Sequence, residues 1–163
     1  MRRILTAFAI ALAAARPLRA PPAPTAWRDG VALWACRFNI SPTLAGQIVT
    51  AADRYGLDRG FAFRLVGRES VFRIRARGAA GEIGLTQMKL STARDLQRGI
   101  TVAQLYQPST NLDLGFRYTA RLRTRYRGNL QRTATAYSHG LAVADRLRGT
   151  TSYSLAVAGL VHR

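Results

Sequence analysis

Apolar positions recur at helical spacing in three stretches of this chain. After Ser41-Pro42, a good N-cap followed by proline at the first helical position, Leu44, Ile48 and Ala51 or Ala52 share one face until Gly56 stops the run. Asp58 is placed to cap a second helix, in which Phe61, Leu65 and Val66 form an apolar stripe leading up to Glu69. From Asn111 the longest pattern begins: Leu112, Phe116, Thr119, Leu122 and Tyr126 line one face, while Arg117, Arg121 and Arg125 occupy another, a solvated one.

Shorter helices are predicted from Ser91 as cap through Leu96, over Leu130–Tyr137 and Ala142–Leu147, and over Ser152–Leu160, with a turn at Val102–Tyr106. Residues 71–84 hold Gly78, Gly81 and Gly84 among small and basic residues, a composition suited to turns or a short hairpin. The predicted class is a mainly α, single-domain protein with a loop or hairpin segment after Glu69. A chain of 163 residues has room for one such core.

The start of the chain follows a different pattern. Met1-Arg2-Arg3 is basic, Ile4–Ala15 is continuously apolar, and residues 16–26 are rich in proline and alanine, the signature of a secretory signal peptide over residues 1–20 with cleavage between 15 and 26. The apolar run is 12 residues long, short of the roughly 20 needed to span a bilayer. Residues 21–40 then read as a linker or N-terminal extension, leaving 41–163 as the domain. An exported protein in the periplasm or cell envelope is the expectation.

Charge narrows the partners. The chain carries 25 basic residues, all arginine except Lys89, against eight acidic ones, for a net charge of +17. Removing residues 1–20 takes away only four arginines, so the mature surface stays basic and suited to anionic envelope polymers. Export and the lack of interleaved aromatic and basic residues speak against nucleic acid. Cys36 is alone and cannot form an intrachain disulfide; it reads as a buried, inert thiol, or else as an acylated lipoprotein cysteine. His139 and His162 are isolated, so neither a metal nor another cofactor is expected.

With so few acids, Glu69 stands out. A carboxyl group beside buried apolar surface loses hydration most in its charged form, which raises its proton affinity and suits it to act as an acid. By position alone it could equally pair with Arg64, Arg68 or Arg73 on the surface. Glu82, the other glutamate, lies in the glycine-rich turn, where solvation or an arginine pair is the ordinary fate.

Four motifs bear on that choice: Glu69-Ser70-x-Phe72, Gly81-x-x-Gly84-Leu85-x-Gln87, Asn111-x-x-x-Gly115-x-x-Tyr118 and Ala136-Tyr137-Ser138-x-Gly140. In order and spacing they resemble the soluble lytic transglycosylase catalytic domain, across about residues 44–148. The resemblance implies a lysozyme-like helical fold and cleavage of the β-1,4 bond between N-acetylmuramic acid (MurNAc) and N-acetylglucosamine (GlcNAc) in peptidoglycan. Glu69 would be the single acid and base, and the C6 hydroxyl of the same MurNAc would close a 1,6-anhydro ring without water. Gln87 and Tyr137 would line the sugar groove, Tyr118 would contact sugar or pack in the core, and Ser70 would bind substrate or fix the helix end. The expected partner is a peptidoglycan strand, met by a monomer.

Three positions depart from the family pattern: Gly78 stands where many members carry Ser, Thr86 where Met is usual, and Ser138 where Asn is usual. They imply the loss of a hydroxyl, an apolar groove wall and an amide. Two rival functions remain at this level. One is a muramidase on the same fold, with Asp95 or Asp113 directing water; the other is a non-catalytic, basic wall-binding module.

Overall fold

The computed structural model describes residues 25–147 and 151–159. It contains α1 (Thr25–Phe38), α2 (Pro42–Arg54), α3 (Arg59–Ser70), α4 (Leu90–Leu96), α5 (Val102–Leu105), α6 (Pro108–Arg125), α7 (Leu130–His139), α8 (Leu141–Arg146) and α9 (Ser152–Ala158). The only β features among these residues are isolated bridges, Arg77 with Ile83 and Ile83 with Met88. They pin the glycine-rich segment into the tight loop expected after α3.

The helices begin where side chains can satisfy their free N–H groups. Ser41 Oγ accepts from Leu44 N at 3.2 Å, and Asp58 Oδ1 accepts from Phe61 N at 2.7 Å. Helix α4 differs from expectation: Ser91 lies inside it, and Lys89 occupies the cap position without a side-chain bond. Helix α6 also begins earlier than predicted, with Pro108 in its first turn and Asn111 already buried one turn inside.

Helix α6 organises the packing because its faces feed three apolar clusters. Leu112 and Phe116 join α2 and α3 residues such as Ile48, Phe61 and Leu65. Leu114 meets Ile83, Met88, Ala93, Ile100 and Leu105 of the smaller lobe. Leu122 packs with Tyr126, Ala136 and Ala144. One helix thus holds the loop-rich lobe against the helical body, and the space between them becomes a cleft.

The segment predicted as linker is, from Thr25 onward, helix α1. Val31 and Ala35 are buried in the main core. Trp34 stacks on Phe63 at 4.8 Å between ring centroids, and Phe38 does so at 5.2 Å. Cys36, expected inside, is exposed. On a helix that buries Ala35, the next residue lies about 100° around and faces water. The predicted signal peptide lies outside the described residues.

Asn111 ties the lobes together. Its Nδ2 donates to Ile83 O at 2.9 Å and to Leu105 O at 2.8 Å, while its Oδ1 accepts from Thr86 N and Thr86 Oγ1, both at 2.8 Å. Gly84, with φ +76°, passes so close that a Cβ would lie 2.7 Å from Leu105 O. Thr86 is fully buried in this network and packs on Gly115. It therefore forms no wall of the groove.

Candidate active site

Glu69 sits in the last turn of α3, and the chain turns sharply just beyond it. Val71 and Phe72 both adopt left-handed backbone, with φ of 50° and 58°. For a β-branched valine this conformation is costly, and surrounding structure must hold it. The Phe72 ring supplies part of that hold by folding back over Gly67, where a Cβ would meet it at 3.2 Å. Glu69 is thereby left at the edge of the buried face of α3.

The cleft beside it has a volume of about 500 Å³. Glu69, Tyr153 and Tyr118 line it, together with Ala136–Gly140 from the end of α7 and Glu82, Gln87, Met88 and Lys89 from the smaller lobe. A shallower apolar groove of about 320 Å³ lies elsewhere, between α2 and α6. Its acid, Asp113, is bound by Arg54 at 2.6 Å and by Tyr55 at 2.9 Å.

Glu69 makes no ion pair with the arginines that could have neutralised it. Arg64 donates to Val157 O and lies 3.8 Å from Asp58, and Arg73 donates to Ser70 O. The partner of Glu69 is Tyr153 of α9, whose hydroxyl donates to Glu69 Oε1. Burial holds the Glu69 carboxyl above the usual carboxylate range; the Tyr153 bond pulls it back, the charge of Glu82 pushes it up further, and Arg68 pulls it down. Burial and the nearby Glu69 likewise push the Tyr153 phenol well up, so it stays a donor.

The other predicted residues divide. Tyr137 reaches the cleft, but its hydroxyl is spent on Thr86 O at 2.6 Å, with Met88 Sδ at 3.7 Å. It clasps α7 to the 84–88 turn, and burial pushes its phenol well up. Tyr118 lines the cleft and packs on Tyr137, with 5.7 Å between centroids. Gln87, in left-handed backbone at φ 48°, donates from Nε2 to Gly84 O at 2.9 Å, which leaves its Oε1 for a ligand. Ser70 does not reach the cleft: it is buried, and its hydroxyl donates to Val66 O one turn back.

The structure also changes the standing of the acids. Neither Asp95 nor Asp113 lines the cleft, so the arrangement expected of the rival muramidase is not found there. Glu82 does line it, paired with Lys89 at 3.7 Å rather than with an arginine. Ser138 also faces the cleft, with its hydroxyl held between Ala134 O at 3.1 Å and His139 Nδ1 at 2.6 Å.

Tyr153 is not legible as a site residue in the sequence, because it lies 84 residues from Glu69 in a short apolar helix and only the fold brings the two together. A polar-tipped aromatic within Ser152–Ala158 was the one available signal. Removing its hydroxyl tests the pairing. Tyr153→Phe is expected to move the descending limb of the kcat/KM pH profile to higher pH, since the bond that lowers the Glu69 pKa is gone. Loss of a hydrogen bond to a charged group, about 1.5 kcal/mol, would slow turnover about tenfold. An unmoved limb would contradict the pairing.

Chemically, the cleft offers one buried carboxyl with a raised proton affinity, a phenol poised to donate to its ionised form, and amide and aromatic surface suited to sugars. Among the described residues, no group of three or more His, Cys, Asp and Glu side chains could hold a metal ion.

The Transglycosylase SLT domain family matches the chain over residues 46–154. Among solved structures, the chain is similar to the lytic transglycosylase Slt of Pseudomonas aeruginosa in an inactive glutamate-to-glutamine variant. The identity is 28%, the TM-score 0.59, and the match covers 66% of this chain and 18% of that one. It is also similar in fold to the 70 kDa soluble lytic transglycosylase of Escherichia coli, with 18% identity, a TM-score of 0.56, and coverage of 82% of this chain and 24% of that one. A complex of the 70 kDa soluble lytic transglycosylase with bulgecin A gives the same identity and TM-score, with 83% of this chain and 24% of that one covered. The chain thus spans less than a quarter of the length of these proteins.

Proposed function

The chain belongs to the Transglycosylase SLT domain family, and from that premise we propose that it is a peptidoglycan lytic transglycosylase that uses Glu69 as its single acid and base. The observation that carries this reading is the environment of Glu69: buried, without a cationic partner among the described residues, bonded to Tyr153 and opening on a cleft lined by Gln87, Tyr118 and Tyr137.

Burial raises the proton affinity of the Glu69 carboxyl, which suits it to begin the reaction as the acid. Tyr153 occupies Oε1, which leaves Oε2 to deliver the proton to the oxygen linking MurNAc to GlcNAc. As the bond breaks, Glu69 becomes a carboxylate, and the Tyr153 hydrogen bond stabilises that charged form. Glu69 then removes the proton from the C6 hydroxyl of the same MurNAc, whose oxygen bonds to C1 and closes the 1,6-anhydro ring. Because the nucleophile is already attached to the reacting sugar, its proximity removes several kcal/mol of the entropic barrier.

The reading places the enzyme outside the cytoplasm, in keeping with the basic-then-apolar start of the chain, and its arginine surface near anionic envelope polymers. Incubated with isolated peptidoglycan sacculi, the purified protein is expected to release soluble muropeptides. Binding without release would leave only a wall-binding module.

A further inference from the structure

Glu82 is the other carboxylate of the cleft, and the loop around it is built to place it. Gly78 N donates to Glu82 O at 2.9 Å, and Gly81 N donates to Gly78 O at 3.1 Å, which closes the turn. A Cβ on Gly78 would collide with Glu82 Oε2 and lie 2.8 Å from Gln87 Oε1. The carboxylate therefore occupies room that glycine at 78 leaves free.

The two oxygens of Glu82 differ in occupancy. Oε2 accepts the Ala80 N–H at 3.1 Å. Oε1 has the Lys89 ammonium at 3.7 Å, beyond hydrogen-bond range, and no closer donor among the described residues. The side chain is 23% exposed, so water reaches it. Glu82 is also near enough for its charge to act on Glu69. A sugar cleft that holds one carboxyl acid and a second, water-accessible carboxylate has the components of a hydrolytic glycosidase.

Resting on the reading of Glu69 given above, we propose that Glu82 opens a second, hydrolytic outcome in the same cleft, in which water held at Glu82 Oε1 competes with the C6 hydroxyl for C1 of MurNAc. Glu69 gives its proton to the glycosidic oxygen as the C1–O bond breaks. The water oxygen bonds to C1, and the proton that water loses passes to Glu82. One water is consumed, the products are a reducing MurNAc end and a free GlcNAc hydroxyl, and no atom changes oxidation state in sum. Glu69 and Glu82 return to their starting states by proton exchange with solvent.

The test is the partition of products. Sacculi digested by the purified protein are reduced with borohydride, which marks reducing ends and leaves anhydro ends untouched, and both are counted by mass spectrometry above an undigested control. Wild-type protein is expected to generate both kinds of new end. Glu82→Gln should lower the ratio of reducing to anhydro ends by about tenfold or more. Gly78→Ser, which displaces the carboxylate without removing it, should move the ratio the same way.

The ratio is internal to each digest, so it can be read even where a variant is slower. Anhydro ends alone from the wild type, or a ratio unchanged in both variants, would overturn the proposal and leave the lytic reading standing. Failure of the lytic reading itself would look different: no anhydro ends in any digest.

Discussion

Replacing Glu69 with Gln is expected to slow release of muropeptides from sacculi by about 10³-fold, the range lost when a positioned acid–base group is removed. The amide cannot give a proton to the glycosidic oxygen, and among the described residues no other carboxyl bonds to Tyr153. The same substitution should leave the protein at least as stable as the wild type. The folded-state pKa of Glu69 lies above its unfolded value, so the group favours folding at low pH, and that contribution is lost as pH rises through the folded pKa. Above that point the buried charge opposes folding and Gln does not. The melting-temperature difference, variant minus wild type, should therefore grow from acid to alkaline pH. Release within tenfold of wild type, or a variant that melts lower throughout, would contradict the account of Glu69.

The second large effect concerns stability rather than chemistry. Asn111→Ala removes a buried amide whose donors hold Ile83 O and Leu105 O and whose oxygen holds Thr86 N and Thr86 Oγ1. Each buried polar group left without a partner costs about 1–3 kcal/mol. With several orphaned at once in a site too tight for easy hydration, the loss should be about 4 kcal/mol, a large part of the ~5–15 kcal/mol of a typical domain. Urea unfolding measures it directly. A loss below about 1 kcal/mol would show that the lobes do not depend on this amide.

Asn111 and Glu69 illustrate two kinds of legibility. The apolar faces of α2, α3 and α6 could be read directly, because each stripe has helical period and two of the helices start at a Ser or Asp cap: Ile48, Leu65, Phe116 and Leu122 are all buried where the period puts them. Helix α1 buries Val31 and Ala35 and packs Trp34 and Phe38, but the prolines before it and the little clear period over residues 27–38 favour a linker when read locally. Packing of Trp34 and Phe38 on Phe63 outweighs that local preference.

Within the site, Glu69, Gln87, Tyr118 and Tyr137 were named by their motifs, and the structure brings all four to one cleft. What local pattern could not convey was the direction of each polar group. Ser70 points back to Val66, Thr86 inward to Asn111, and the Tyr137 hydroxyl to Thr86 rather than into the cleft. Long-range partners were equally hidden, since the Tyr153 bond to Glu69 depends on α9 packing beside α3. A glycine-rich turn ordinarily leaves a glutamate such as Glu82 solvated or paired with arginine; this turn folds over the cleft instead and brings a second carboxyl group to it.

That second carboxylate makes the nature of the new chain ends the decisive observation. Mass spectrometry of sacculi digested by the purified wild-type protein should show 1,6-anhydroMurNAc ends accumulating with time, and none accumulating with Glu69→Gln. New ends that are all reducing, or anhydro ends that accumulate equally with Glu69→Gln, would contradict ring closure under the control of Glu69.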